Sequence, residues 1–325
     1  MDHIQHKFVE IGSLDLHVPE LGPIRYDTDL LCVAATAIVI VFLHGFPEIW
    51  YSWRHQMVGV ANVGYRALAP DFRGYGLSEV PAEPGKTNFI DLVDDLLGIL
   101  DHYKIQKVFL VAKDFGSEIA YDFELLHPDR VLGVVTLGVP YVPDALKYKL
   151  FAQLPEGFYV RRWMKPGRAE ADFGRFRVKE VVRRIYILFS RDVIPIATKE
   201  NQEIMDIVNY TTPLPPWFTK KDLNAYGKLY ERSGFRTPLQ IPYRAKPVNL
   251  GKIIPRVTVP ALHIIGGKDY FYKLPGIKQY IMAGEVKKYV PHLTVTFLSE
   301  GTHFIQEQYP KKVNKLIIKF LKKHT

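Results

Sequence analysis

Three residues far apart in the chain have the types needed for nucleophilic catalysis: Asp114, Asp269 and His303. Asp114 lies in Val108-Phe109-Leu110-Val111-Ala112-Lys113-Asp114-Phe115-Gly116-Ser117, an apolar run that meets a tight turn before a helical pattern. A turn between strand and helix lifts its middle residue above the sheet edge, where a nucleophile can be presented. A carboxylate is already ionised near neutral pH and can attack a saturated carbon, whereas a serine alkoxide suits acyl transfer. Asp269 follows the apolar run 261–265 and the turn Gly266-Gly267-Lys268. His303 follows the run 293–298, within Glu300-Gly301-Thr302-His303-Phe304. Singly, these would be a turn aspartate and a loop histidine. Jointly, each just beyond a strand and in the order nucleophile, acid, histidine, they are expected to form a triad.

A fourth segment, Leu43-His44-Gly45-Phe46-Pro47-Glu48, also follows an apolar run directly. Gly45 permits a sharp turn, so the backbone N–H of Phe46 can face Asp114. With the N–H of Phe115 it would form an oxyanion hole, to which Pro47 contributes no donor.

The elements that must position these residues alternate. Short β-branched runs are expected as strands at 7–11, 14–18, 38–43, 65–69, 107–112, 131–137, 261–265 and 293–298. Helical patterns lie between the later ones, which argues for a mainly parallel sheet covered by helices. The first two strands, joined through Gly12-Ser13, read as a hairpin at the sheet edge. The later, continuously apolar strands suit positions buried on both faces. Asn88 is placed to cap a helix that turns Phe89, Leu92, Val93, Leu96, Leu97 and Leu100 to one side. Another helix is expected over 117–127. The rhythm breaks after Pro140: residues 141–255 are rich in Arg, Tyr, Phe and Pro, with helical patches at 178–192 and 220–232 and no convincing strand. They are expected to be a helical lid inserted into an α/β core made of residues 1–140 and 256–325.

Hydrophobic residues make up 47% of the 325 and charged ones 24%, enough apolar material for a large core. With one cysteine, Cys32, an intramolecular disulfide scaffold is excluded and a reducing compartment is expected. The net charge of +9 admits nucleic-acid or membrane-surface binding. Much of that excess, however, sits between Lys311 and Lys323, where Val313, Leu316, Ile317, Phe320 and Leu321 recur at helical spacing. A closing helix with its stripe on the core and its lysines in water is expected. The N-terminus has no signal pattern, and the apolar run 30–43 falls short of the ~20 residues that span a bilayer. A cytoplasmic protein without nucleic-acid or membrane partners is expected, as monomer or homodimer. The histidines are scattered and Cys32 is alone, so no metal or organic cofactor is expected.

The chain resembles the soluble, plant-type epoxide hydrolases of the α/β-hydrolase fold. The likeness rests on His44-Gly45-Phe46-Pro47-Glu48, Asp71-Phe72-Arg73-Gly74-Tyr75-Gly76-Leu77-Ser78 and the Asp-centred elbow. It continues through Phe158-Tyr159-Val160, Lys165-Pro166-Gly167-Arg168-Ala169-Glu170-Ala171, Gly234-Phe235, Tyr243-Arg244-Ala245 and Gly301-Thr302-His303-Phe304. The resemblance implies a mainly parallel eight-stranded sheet with a helical lid. It also implies two lid tyrosines that hold the epoxide oxygen, at motif positions Tyr159 and Tyr243. Phenols near pKa 10 can donate a hydrogen bond or a proton to a developing alkoxide. Asp114 would then form an alkyl ester, and water activated by His303 and Asp269 would hydrolyse it to a vicinal diol. His44, Pro47, Trp50, Tyr141, Phe158 and Trp217 are expected to line an aromatic pocket for small lipophilic epoxides.

The elbow departs from the family's common Gly-His-Asp-Trp-Gly, with Ala112, Lys113 and Phe115 in its place. Lys113 pointing inward would lower the pKa of Asp114, but a solvated position is expected for it. The segment 24–37 looks longer than the usual connection. Three other readings share parts of the pattern. Haloalkane dehalogenation would need an indole or amide donor near Asp114, where Phe46 and Phe115 stand. An epoxide-opening cyclase would use the same tyrosines, and a non-catalytic relative would use the pocket alone.

Overall fold

The computed structural model describes residues 3–23 and 37–325; almost all of the long connection 24–37, with Cys32, lies outside the described residues. Eight strands form one sheet: β1 (Gln5–Ile11), β2 (Leu14–Leu21), β3 (Val39–Leu43), β4 (Arg66–Leu68), β5 (Val108–Lys113), β6 (Val131–Leu137), β7 (Ala261–Gly266) and β8 (Leu293–Leu298). Their order is β1-β2-β4-β3-β5-β6-β7-β8. β1 pairs antiparallel with β2, and β2 with β4, so the expected hairpin occupies one edge. From β4 through β3 and on to β8 every pairing is parallel.

Parallel strands need crossover helices, and those helices bury both faces of the strands between them. Hence β3, β5 and β7 are buried throughout. β8 departs from the expectation: only Leu293 is buried and Phe297 is 40% exposed, because β8 forms the other edge. The helix Phe89–His102 buries Phe89, Leu92, Val93, Leu96 and Leu100 as its period requires. Its Asn88 N–H donates to Asp91 at 2.7 Å, but the Asn88 side-chain oxygen accepts from the Lys246 N–H at 3.1 Å, so it also ties in a distant segment. The closing helix Pro310–His324 buries Val313, Ile317, Phe320 and Leu321 and leaves most of its lysines in water. No helix of the described residues is long and apolar enough to cross a membrane.

Between β6 and β7 the described chain contains helices and turns and one isolated bridge, Phe158–Ile196. The longest helices of this insert are Val178–Phe189 and Lys220–Ser233. A buried polar cluster joins the insert to the sheet domain. Arg54 pairs with Glu307 and, at 3.1 Å, with Asp222; Tyr226 donates to Glu307 at 3.0 Å and Tyr51 to Asp222 at 3.0 Å. Removing one partner from such a buried pair would strand the other charge.

Strand order sets where the site lies. The chain leaves β3 toward β4 on one side and returns to β5 on the other, so the loops after β3 and β5 diverge from a switch point. Leu43 pairs with Ala112 at the ends of those strands, which places the turns at Gly45 and Asp114 side by side.

Candidate active site

Asp114 adopts φ +54°, in the left-handed region that costs an ordinary side chain energy. Its neighbours explain how the elbow is held. The Asp114 N–H donates to Leu137 O at 3.2 Å, and the Asp114 carbonyl accepts from the Ser117 N–H at 3.0 Å. A Cβ at Gly45 would fall 2.4 Å from that of Asp114, and one at Gly116 would fall 2.4 Å from His44 O. Glycine is therefore required at both places for the two turns to pack.

The structure brings Asp114, Asp269 and His303 together. His303 Nδ1 lies 3.0 and 3.2 Å from the two Asp269 oxygens, and its Nε2 lies 3.4 Å from Asp114 Oδ2. Asp269 also accepts the Phe271 N–H at 2.9 Å. With Nδ1–H directed at a carboxylate, Nε2 of the neutral ring carries the lone pair. The Phe46 N–H donates to Asp114 Oδ1 at 3.3 Å, and the Phe115 N–H also favours the ionised carboxylate.

Burial alone would raise Asp114. His303, Lys113 and the Phe115 N–H outweigh it and hold the carboxyl down at about 2. Burial would likewise raise Asp269, but His303 and Lys113 keep it low. Burial and Lys113 pull His303 down; Asp269 and Asp114 pull harder, and its pKa ends above the ordinary 6.5.

Lys113 corrects the expectation of a solvated cation. It is fully buried, and its Nζ donates to His303 Nε2 at 3.0 Å. Gly138 makes the room, since a Cβ there would meet Lys113 Nζ at 3.1 Å. Asp114 and Lys113 thus face the same nitrogen. The ammonium satisfies the neutral imidazole, and the carboxylate satisfies the imidazolium.

Tyr159 and Tyr243 both line a cavity of about 130 Å³ that Asp114 and Phe115 line as well. Their rings lie 6.1 Å apart and nearly perpendicular. Tyr243 packs edge-on against Phe46 and Trp163, and its hydroxyl has no partner among the described residues. Burial and the nearby Asp114 charge push both phenols well above pKa 10, so both stay protonated donors.

The sequence reading missed Tyr270. It follows Asp269 directly, its ring packs on His303 with centroids 4.8 Å apart, and its hydroxyl lies 3.0 Å from that of Tyr159. Its place beside a triad member was the only available signal. Glu48, quoted only as part of a motif, is also fully buried, with one oxygen accepting from Gln306 and the other without a partner among the described residues. Burial pushes its carboxyl up to about 7.

Of the expected pocket residues, Tyr141 lines the cavity; His44, Pro47, Trp50, Phe158 and Trp217 do not. His44 is a structural histidine: its Nδ1 donates to Gly45 O at 2.9 Å, and its Nε2 accepts the Phe72 N–H at 3.1 Å. Burial holds it neutral, near 4. Trp50 packs against His6 and His17 beside the hairpin, Phe158 is buried against Phe151 and Tyr159, and Trp217 packs on Tyr186 and Phe304. Pro47 is buried next to the Phe46 turn. Aromatic type marked these residues as apolar, and apolar residues fill the core first. Among the described residues, no group of three or more His, Cys, Asp or Glu side chains is arranged to hold a metal ion.

Residues 38–310 match the model of the α/β-hydrolase fold family. Epoxide hydrolase 3 of Siraitia grosvenorii is 35% identical over 99% of this chain and 100% of its own length. The crystal structure of an epoxide hydrolase from Vigna radiata superposes with a TM-score of 0.87 at 32% identity, covering 99% of both chains. Potato epoxide hydrolase I superposes at 0.84 with 34% identity, covering 98% of this chain and 99% of that one. The chain belongs to the epoxide hydrolases of the α/β-hydrolase fold.

Proposed function

We propose that the enzyme converts lipophilic epoxides to vicinal diols through an alkyl ester on Asp114, with the insert acting as a lid over residues 141–255. The observation that carries this reading is one cavity lined by an ionised aspartate and by two protonated phenols, with His303 Nε2 at 3.4 Å from the carboxylate.

Tyr159 and Tyr243 hold the epoxide oxygen, and Asp114 attacks a ring carbon. The ring C–O bond breaks with its electron pair on oxygen, which takes a proton from a phenol. Esterification removes the Asp114 charge and part of what raises the His303 pKa, so a proton on Nε2 passes to solvent and is regained from solvent when the Asp114 carboxylate is restored. The imidazole is then a free base for water. Hydroxide adds to Cγ of Asp114, and the Phe46 and Phe115 N–H groups stabilise the oxyanion. Collapse expels the second oxygen, which takes the proton from His303. Asp114 is left as a carboxylic acid and ionises, and the proton it releases restores the phenol. Asp269 orients His303 throughout. Lys113 draws the His303 pKa down and favours the neutral ring, at the cost of occupying the lone pair that must receive the water proton.

Single turnover in ¹⁸O-labelled water tests the route. Label is expected in the Asp114 carboxylate and absent from the first-turnover diol; a labelled first diol would exclude the ester. Asp114→Ala is expected to abolish turnover, by at least about 10⁴-fold.

A further inference from the structure

We propose that the cavity end remote from Asp114 is a recognition site for a hydrogen-bond-donating group on the substrate, a hydroxyl or an ammonium, and that it rejects carboxylates. The proposal rests on the epoxide-hydrolase reading above. The helix Gly116–Leu126 runs away from the nucleophile, and Glu118, Tyr121 and Asp122 fall on one of its faces at i, i+3 and i+4. All three line the same cavity as Asp114. Eight residues at 1.5 Å each set Asp122 roughly 12 Å from Asp114. Tyr141, Asp144 and Lys147 line the cavity as well.

Three carboxylates thus meet one ammonium, and that ammonium is committed: Lys147 Nζ lies 2.7 and 2.6 Å from the two Glu118 oxygens. Asp122 is only 8% exposed and has no hydrogen-bond or ion-pair partner among the described residues. Tyr141, from a different segment, is also 8% exposed, and its hydroxyl has no partner among the described residues. Tyr121 is unlike them, its hydroxyl being paired with Thr136 at 3.2 Å. The Asp122 carboxyl and the Tyr141 hydroxyl are not sealed off from the cavity, so a polar group that enters it can pair with either. A donor does so for Asp122. Burial and the adjacent Glu118 push the Asp122 carboxyl well up, against the opposing pull of Lys147. A substrate carboxylate would add another anion there. The reacting end is thus fitted to an epoxide, and the far end to a donor roughly 12 Å away.

The test uses terminal epoxides of one spacer length, cut to that span and ending in methyl, hydroxyl, ammonium or carboxylate. In wild type, kcat/KM for the hydroxyl or ammonium compound is expected to exceed that for the carboxylate by about 10- to 100-fold. In Asp122→Leu the ratio is expected to collapse to about threefold or less. Asp122→Asn, of nearly the same shape, is expected to regain tolerance of the carboxylate and serves if the leucine variant does not fold. Ammonium above hydroxyl identifies an anionic far end; hydroxyl above ammonium identifies a protonated Asp122. Equal turnover of the carboxylate compound, or a preference unchanged in both variants, overturns the proposal. Calorimetric titration of the corresponding diols reads the same preference without chemistry. If no epoxide is turned over but the diols discriminate through Asp122, the hydrolase reading fails and the site stands. If turnover is intact and diol binding is indifferent to the end group, the site alone fails.

Discussion

The sheet edge and the helical insert hold their halves of the site by different means. Asp114, Asp269 and His303 stand on loops at strand ends, fixed by backbone geometry and short polar contacts: a left-handed φ, two glycines without room for a Cβ, and imidazole-to-carboxylate distances near 3 Å. Tyr159 and Tyr243 stand on the insert and are fixed mainly by aromatic rings, with Phe158, Trp163 and Phe189 around Tyr159 and Phe46 and Trp163 around Tyr243. The polar frame lets charge exist where burial alone would forbid it. The aromatic frame does the reverse and keeps the phenols un-ionised. An ionised carboxylate and protonated phenols can therefore share one small cavity without neutralising each other.

Under the proposed mechanism, the two halves separate kinetically, and the largest effects should show it. His303→Gln is expected to lose steady-state turnover by about 10³-fold or more while still alkylating Asp114. The peptide carrying Asp114 should then gain the mass of the substrate. Tyr159→Phe and Tyr243→Phe are each expected to slow alkylation by about 10- to 100-fold, the worth of a hydrogen bond to developing charge. Neither should change hydrolysis of a preformed ester to a comparable extent. If the tyrosine variants accumulated ester and His303→Gln did not, the division between frames would be wrong.

Much of this division was legible in the sequence, and the reason lies in chain geometry. All eight strands formed where β-branched runs met turn residues, and Asp114, Asp269 and His303 follow β5, β7 and β8 closely. A parallel sheet sends such positions to one edge, so chain order alone brought them together. Tyr159 and Tyr243 could be marked only through motif resemblance, since an insert has no comparable rule for where a side chain points. Lys113 escaped for a related reason. β5 is buried on both faces, so its alternation carries no inward or outward signal, and a terminal lysine normally reads as solvated. The room for it comes from Gly138, on the next strand's loop. The aromatic pocket was misread because burial in a core and burial beside a cavity select the same residue types.

Lys113 sharpens the comparison through pH. Under the proposed mechanism His303 must be neutral to activate water, and the ester lacks the Asp114 charge that helps raise its pKa in the free enzyme, so ester hydrolysis is lost as pH falls through a His303 pKa lower than that of the free enzyme. Asp114, at about 2, stays ionised throughout, so ester should accumulate on the acid side instead of alkylation failing. Lys113 pulls His303 down, and removing it raises the His303 pKa. Lys113→Met is therefore expected to move the acid limb of hydrolysis to higher pH. The same change frees Nε2, so the alkaline plateau should rise several-fold and the two profiles should cross. Stopped-flow measurement of ester decay against pH reads both features. Parallel profiles would show that the buried ammonium only fills space.

The smallest expected effect falls where the two frames touch. Tyr270 belongs to the sheet-edge loop through Asp269, yet its hydroxyl meets Tyr159 of the insert at 3.0 Å. If Tyr270 donates to Tyr159, the Tyr159 proton is free to turn toward the epoxide oxygen, and the phenol becomes a better donor through the chained hydrogen bond. Tyr270→Phe is then expected to slow alkylation only about two- to fivefold, since it removes an orienting contact and leaves the reacting donor in place. Its effect should depend on Tyr159: in a Tyr159→Phe background the same change should cost almost nothing, giving a coupling energy of about 0.5–1 kcal/mol in the double-mutant cycle. Additive losses would assign Tyr270 to packing against His303 instead, and the two frames would then meet through apolar contact alone.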